Sequence, residues 1–392
     1  MAGRILTRGR ALALAAAFLV APAAAEDDAF KAHEFSLANG MQVVVIPDHR
    51  APVVTHQVWF RTGSADDPRD AGGIAHFFEH LMFRGTPKVP DQQFDAIVTR
   101  NGGQNNANTS YDRTVYYERV AADRLPMMME LDADRMANLV IDDKVVTSER
   151  QVILEERNSR TDNEPQALFY EQMNAALFLA SPYGIPVIGW RSEIEGLTTD
   201  EARAFYDANY GPNNAILVVG GDITMAELKP LAEKYYGAVA PRPVPERVRP
   251  QEPTQQAARR ITMESAQVRQ PSWRRTYLAP SINRGATEHA YALQVLAEVL
   301  GGGATSRLYR ALVLNGELAV SAQSYYDPAS IDLATFGISS SPRIGVDVAK
   351  VEQAVDKVLA DLLEKGVTAD EVASAKRRLQ DSSVLGRDSF NG

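Results

Sequence analysis

The chain has 392 residues, 45% of them hydrophobic and 23% charged, with a formal net charge of −9 and no cysteine. That is the composition of a globular protein long enough for two domains, at about 100–200 residues each. The negative charge argues against a nucleic-acid partner, and the missing cysteine excludes disulfides and a lipid-bearing cysteine anchor.

Residues 1–25 carry Arg4, Arg8 and Arg10, an apolar run over 11–20, and Ala23-Ala24-Ala25 ahead of the acidic Glu26-Asp27-Asp28. This is the pattern of a secretory signal peptide. The apolar run is shorter than the roughly 20 residues a membrane-spanning helix needs, and no later stretch qualifies. The mature protein is therefore expected to be periplasmic or secreted, with a charge near −12 once the three arginines of the leader are gone.

Residues 41–47 and 53–61 are rich in β-branched and aromatic side chains and predict two strands paired with each other. The polar stretch Asp66-Asp67-Pro68-Arg69-Asp70, then Gly72-Gly73, predicts the turn into a helix. Wound at about 100° per residue, that helix gathers Ile74, Phe77, Phe78, Leu81 and Met82 into one apolar stripe and sets His76, Glu79 and His80 nearly opposite. Two imidazoles one turn apart can both reach a single Zn2+ at about 2.0–2.1 Å. A carboxylate beside a metal-bound water can act as general base, the role expected of Glu79. The order His-x-x-Glu-His is the inverse of the commoner zincin motif. Alone it is only moderately specific, because a solvated polar helix face can show the same letters.

Residues 102–117 run from a Gly/Asn-rich start into an aromatic strand. A strand edge beside a metal can pair with an extended peptide; a structural hairpin is the plainer reading. Residues 144–163 predict a helix whose buried face is marked by Val145, Val146, Val152 and Ile153. On the same count Glu149 and Glu156 fall within that face and Glu155 well off it. A carboxylate on a buried face needs a charge partner or a metal. Glu156 is therefore the expected third ligand of a His2Glu zinc site with water in the fourth position. Glu149, two turns earlier, suits an outer layer that orients a histidine; ion-paired structural glutamates are the alternative. Further on, Pro241, Pro243, Pro245, Pro250 and Pro253 predict a stiff, extended linker. It divides the chain into a first unit at 30–238, a linker at 239–258 and a second unit at 259–392.

Residues 76–86, 103–117, 149–156 and 182–189, joined by Tyr210-Gly211-Pro212-Asn213-Asn214 and Gly220-Gly221-Asp222, span most of 35–225. Together they resemble the pitrilysin/insulinase family of inverzincin metallopeptidases, in particular the bacterial branch similar to mitochondrial processing peptidase. The resemblance implies an α+β fold of two homologous units, each an antiparallel sheet covered by helices. It implies a third zinc ligand seven residues beyond the glutamate of a Glu-Arg pair, which is Glu156 after Glu149-Arg150, in agreement with the helix-face argument. It also implies substrate binding at Asn106 and its neighbour Ala107.

The implied repeat is weakly visible. Residues 273–280 stand where the strand before the zinc helix stood, and residues 288–300 read as the counterpart helix without a metal motif, closed by Gly301-Gly302-Gly303. The second unit is thus expected to be metal-free. Ending at Gly392, it is shorter than family units run, so an incomplete second sheet is expected. Active relatives carry an Arg and a Tyr seven apart in this unit, and the matching positions here are Val313 and Val320. A second, homologous subunit supplying the pair in a heterodimer is the expected partner, with a homodimer as the alternative. The expected activity is zinc-dependent hydrolysis of peptides or small unfolded proteins. The rival is an idle scaffold or peptide-binding subunit, although idle relatives tend to lose the motif that His76, Glu79, His80 and Glu156 preserve.

Overall fold

The computed structural model describes residues 31–387, so the leader-like segment 1–25 lies outside the described residues. The first sheet contains β1 (His33–Ser36), β2 (Gln42–Pro47), β3 (Val53–Phe60), β4 (Gln104–Thr109), β5 (Thr114–Ala121) and β6 (Ala215–Gly221), in the spatial order β1-β2-β6-β3-β5-β4. The helices of this part are α1 (Ile74–Leu81), α2 (Phe94–Arg100), α3 (Leu125–Asn138), α4 (Asp143–Arg157), α5 (Pro165–Leu177), α6 (Arg191–Gly196), α7 (Thr199–Asn209) and α8 (Met225–Tyr235). A second sheet is ordered β7-β9-β8, from β7 (Trp273–Ala279), β8 (Ala319–Tyr326) and β9 (Ala334–Pro342). Beside it lie α9 (Ala290–Gly301), α10 (Arg307–Tyr309), α11 (Val348–Lys365) and α12 (Ala369–Arg387). The architecture is α+β, and of the strand pairings among the described residues only β2 with β6 is parallel.

β3 shows why the first sheet packs on one face. Val54, His56, Val58 and Phe60 are buried while the residues between them are not, the period of two of a half-covered strand. Two expectations need correction. β2 and β3 are not paired with each other: β6 lies between them, parallel to β2 and antiparallel to β3. Its run Ala-Ile-Leu-Val-Val is apolar enough to sit mid-sheet. On α4, Val152 is 45% exposed rather than buried. The covered face is centred on Val146, Ile153 and Arg157, and Val152 stands about 100° round from Ile153.

One apolar core draws on residues from Leu37 to Val239 and a second on residues from Trp273 to Val358. Between them, residues 240–272 form no helix or strand, yet this segment is fastened down. The Glu252 carboxylate accepts the backbone N–H groups of Leu179, Ala180 and Ser181 at 2.6, 2.9 and 2.8 Å. Arg247 and Arg249 both pair with Asp66, at 2.9 and 2.7 Å.

Candidate metal centre

α1 begins at Gly73, whose φ of 92° is open to glycine at little cost. Its first free amides are met from outside the helix: Asp67 Oδ2 accepts from Gly73 N at 2.7 Å and Oδ1 from Ala75 N at 3.0 Å. Burial nevertheless holds the Asp67 carboxyl well above its ordinary pKa, against the pull of those two amides. Ile74, Phe77, Phe78 and Leu81 are each at most 1% exposed, and the Phe78 ring stacks 5.4 Å from Tyr206 and 4.3 Å from Tyr210. With that face locked in the core, His76, Glu79 and His80 have one direction left. They face α4, which is capped by Asp142 accepting from Val145 N at 2.8 Å and passes at Arg157 into a π-helical turn, Asn158–Asp162. Such turns recur at functional sites.

Glu156 Oε2 lies 3.2 Å from His80 Nε2 and 3.8 Å from His76 Nε2, and the three ligand atoms all fall within 4.8 Å of one another. A tetrahedral ion holding N and O atoms at about 2.0–2.1 Å spaces them about 3.3–3.4 Å apart. Glu156 Oε2 is also buried without a hydrogen bond of good geometry, whereas Oε1 accepts from Arg160 at 2.5 Å. The donor set and the orphaned oxygen fit zinc.

His80 is oriented from behind, where its Nδ1 sits 2.9 Å from Glu149 Oε1 and leaves Nε2 toward Glu156. Glu149, 3% exposed, also receives the Arg84 guanidinium on Oε2, from Nε at 2.5 Å and from Nη2. Burial works to lower the His80 pKa, but the nearby carboxylates of Glu149 and Glu156 outweigh it and raise it to about 9. His76 is pushed down to about 4 by burial and then by His80. Metal binding at His80 Nε2 must therefore displace a proton. Glu79 Oε2 accepts from Thr109 Oγ1 at 2.5 Å; burial raises its pKa, with the Thr109 bond opposing.

Asn106 is exposed on β4, an edge strand, and its Oδ1 accepts from Ala107 N at 2.9 Å. Strand alternation sets Ala107 and Thr109 on the face toward α1 and Asn106 on the other. Thr109 and Arg84 went unread in the sequence, although Arg84 follows His80 by four residues and Thr109 shares the predicted strand with Asn106. The other grouping of metal-binding residue types, His56, Glu118 and Asp132, is fully buried. It already holds a cation, since Arg135 Nη2 lies 2.9 Å from Glu118 and 2.8 Å from Asp132.

The family model for insulinase (peptidase family M16) matches residues 42–190, and that for the peptidase M16 inactive domain matches residues 196–379. An uncharacterized zinc protease of Mycobacterium tuberculosis is 32% identical over 369 residues, 90% of this chain and 79% of that protein. The chain belongs to the M16 peptidase family. Another relative, the zinc protease PqqE of Helicobacter pylori, is 32% identical over 300 residues, covering 75% of this chain and 66% of its own length, just under two thirds. The crystal structure of a protease from Helicobacter pylori superposes with a TM-score of 0.82 at 28% identity, over 92% of this chain and 86% of the other. The periplasmic protease PqqL of Escherichia coli shares the fold, with a TM-score of 0.77 at 21% identity over 92% of this chain and 41% of PqqL. The M16 inactive-domain match covers the part in which no helix carries a His-x-x-Glu-His motif.

Proposed function

We propose that this M16 chain is a zinc-dependent endopeptidase acting on peptides or small unfolded proteins. The observation that carries the reading is the convergence of His76 Nε2, His80 Nε2 and Glu156 Oε2 with Glu79 beside them on the same helix face. Zinc, when bound, supplies Lewis acidity, bringing the pKa of water toward about 7 and polarising a carbonyl. The chain's own groups do the rest. Glu79 takes the proton of the attacking water and returns it to the leaving amine, and burial makes it a stronger base than an exposed glutamate. Thr109 holds Oε2 still and leaves Oε1 for that proton. Glu149 and Arg84 act as positioning residues through His80. The outer edge of β4, the strand that carries Asn106 and Ala107, offers main-chain groups to an extended substrate.

The N-terminal pattern and the likeness to a periplasmic protease support export to the periplasm, and no helix among the described residues is long and apolar enough to cross a membrane. Val313 and Val320 stand where an Arg/Tyr pair is found in active relatives, and Val320 is 55% exposed. This favours a second, related subunit that supplies the pair, with a homodimer as the alternative. The test is Glu79→Gln, which should retain zinc by elemental analysis and lower hydrolysis of a quenched fluorogenic peptide by about 10²–10⁴-fold. Undiminished turnover would sink the reading. Turnover that a chelator leaves untouched would do the same, and a wild-type chain that binds zinc yet cuts nothing, alone or with its co-purifying partner, would favour the idle scaffold.

A further inference from the structure

The second sheet presents one face to its own core and the other to the first unit. On the inner face, residues paired across the strands set Arg274 beside Ser339 and Ser339 beside Gln323, with Thr276 next to Gly337 and Gly337 next to Tyr325 in the following row. Arg274, Gln323, Ser339 and the adjoining Ser321 and Ser341 line a polar cleft of about 110 Å³, to which α5 contributes Gln166 and Tyr170. At about 30 Å³ per water, that is room for a group of a few heavy atoms.

Arg274 is the cation of this cleft. Its guanidinium lies 4.2 Å from the Tyr170 ring centre and 5.1 Å from that of Tyr325. Among the described residues it has no carboxylate and no hydrogen-bond acceptor, and its Nε is buried. Thr276 Oγ1, on the same face, is also buried and unpartnered. The neighbouring Arg275, on the opposite face, shows the ordinary arrangement, with Asp356 at 2.5 Å and Glu352 at 3.0 Å. The stacking on Arg274 depends on Gly337, because any Cβ there would overlap the Tyr325 ring. Buried polar groups are seldom left unpaired. A guanidinium fixed between two aromatic faces, with its donor edge free, is shaped to take a carboxylate by paired N–H bonds.

The cleft wall is also tied to the helix that carries Glu156. Arg157, the residue after Glu156, pairs at 2.9 Å with Glu171, the residue after Tyr170. One ion pair therefore joins the ligand-bearing helix to the cleft wall.

We infer that this cleft is a substrate subsite in which Arg274, with Ser339, binds a peptide carboxylate, either the C-terminal α-carboxylate or an Asp/Glu side chain. The inference rests on the peptidase reading, and its test separates the two. Labelled peptides are prepared as free acids, as C-terminal amides, and with an internal Glu exchanged for Gln. Each is assayed for hydrolysis by the wild-type chain and for equilibrium binding to the zinc-loaded Glu79→Gln variant by fluorescence anisotropy. A preference of about tenfold for the carboxylate form is expected. The amide arm identifies an α-carboxylate and the Gln arm a side chain. With Arg274→Gln the preference should collapse to near one, and Gly337→Ala, which keeps the cation but displaces Tyr325, should reduce it. Unchanged melting temperatures would show that the variants fold. An undiminished preference in Arg274→Gln, or no preference in the wild type, would overturn the subsite even if peptides are cut. Binding that prefers carboxylate without any hydrolysis would uphold the subsite and count against the peptidase reading.

Discussion

Replacing Glu149 by glutamine probes whether His80 on α1 is oriented from behind. Glu149 Oε1 meets His80 Nδ1 at 2.9 Å while Oε2 receives Arg84. In Glu149→Gln the amide oxygen can still accept from His80, but its NH2 then faces the guanidinium, donor against donor, and the acceptor charge is gone. Loss of such an outer partner lowers metal affinity by about 10–100-fold, or about 1.4–2.8 kcal/mol at 1.4 kcal/mol per decade. The upper half of that range is expected here, because Glu149 is only 3% exposed and its negative charge is poorly screened. Arg84→Gln, which leaves the His80 contact intact, should lose less. The assay is competition for zinc against a chromogenic chelator of known affinity, with circular dichroism to confirm folding. A Glu149→Gln affinity within about twofold of wild type would refute the orienting role.

Three further outcomes follow from the same geometry. Thr109→Val removes the donor to Glu79 Oε2. It should lower kcat several-fold with little change in KM or zinc content, and an equal change in both kinetic constants would contradict the positioning role. Gly73→Ala forces a non-glycine residue to φ 92° and drives its Cβ into the Ile188 carbonyl oxygen. A loss of at least about 1–2 kcal/mol in urea unfolding is expected; wild-type stability would show that the turn yields. Asp132, pushed up to about 7 by burial, keeps its proton in the folded state where the unfolded chain has lost it. Its contribution to stability is complete below about pH 4 and is lost as pH rises toward 7. His56, pushed down to about 4 by burial, acts in the opposite direction between its ordinary value and 4. Comparison with Asp132→Asn isolates the first effect: wild type should lose up to about 1.4 kcal/mol per pH unit relative to the variant. Parallel pH profiles would rule it out.

The parts of the site that were legible in the sequence are those governed by local periodicity. The 3.6-residue repeat placed His76, Glu79 and His80 together on one face of α1, and the same count on α4 separated Glu156 from Glu155. It failed at Val152 because α4 packs through Arg157 as much as through valine, and a buried arginine leaves no mark in an apolar pattern. Non-local features were out of reach. β6 reaches its place between β2 and β3 from some 160 residues further along the chain, and Asp67 caps a helix that starts six residues after it. The proline-rich stretch reads as a stiff, extended linker, and the sequence gives no sign that Glu252 within it fills a cluster of three amides that only the folded chain assembles.

The tie between α1 and α4 explains why residues 182–189, which hold no ligand, belong with the ligands. Gly73 and Gly189 both have positive φ and approach so closely that a Cβ on either would overlap backbone of the other segment. Arg157 Nη1 donates to Gly189 O at 2.8 Å. The start of α1 and the end of α4 therefore meet on one turn, while His80, Glu149 and Arg84 join the two helices further along. Held at both places, the helices cannot slide to relieve Glu156 Oε2, which remains buried without a hydrogen bond of good geometry. Unpaired buried acceptors cost stability, and the fold retains them with a rigidity suited to preorganised ligands. A cation drawing on Glu156 Oε2 and the two Nε2 atoms offsets that cost in the folded state alone, so zinc affinity and the stability of the first unit are coupled quantities.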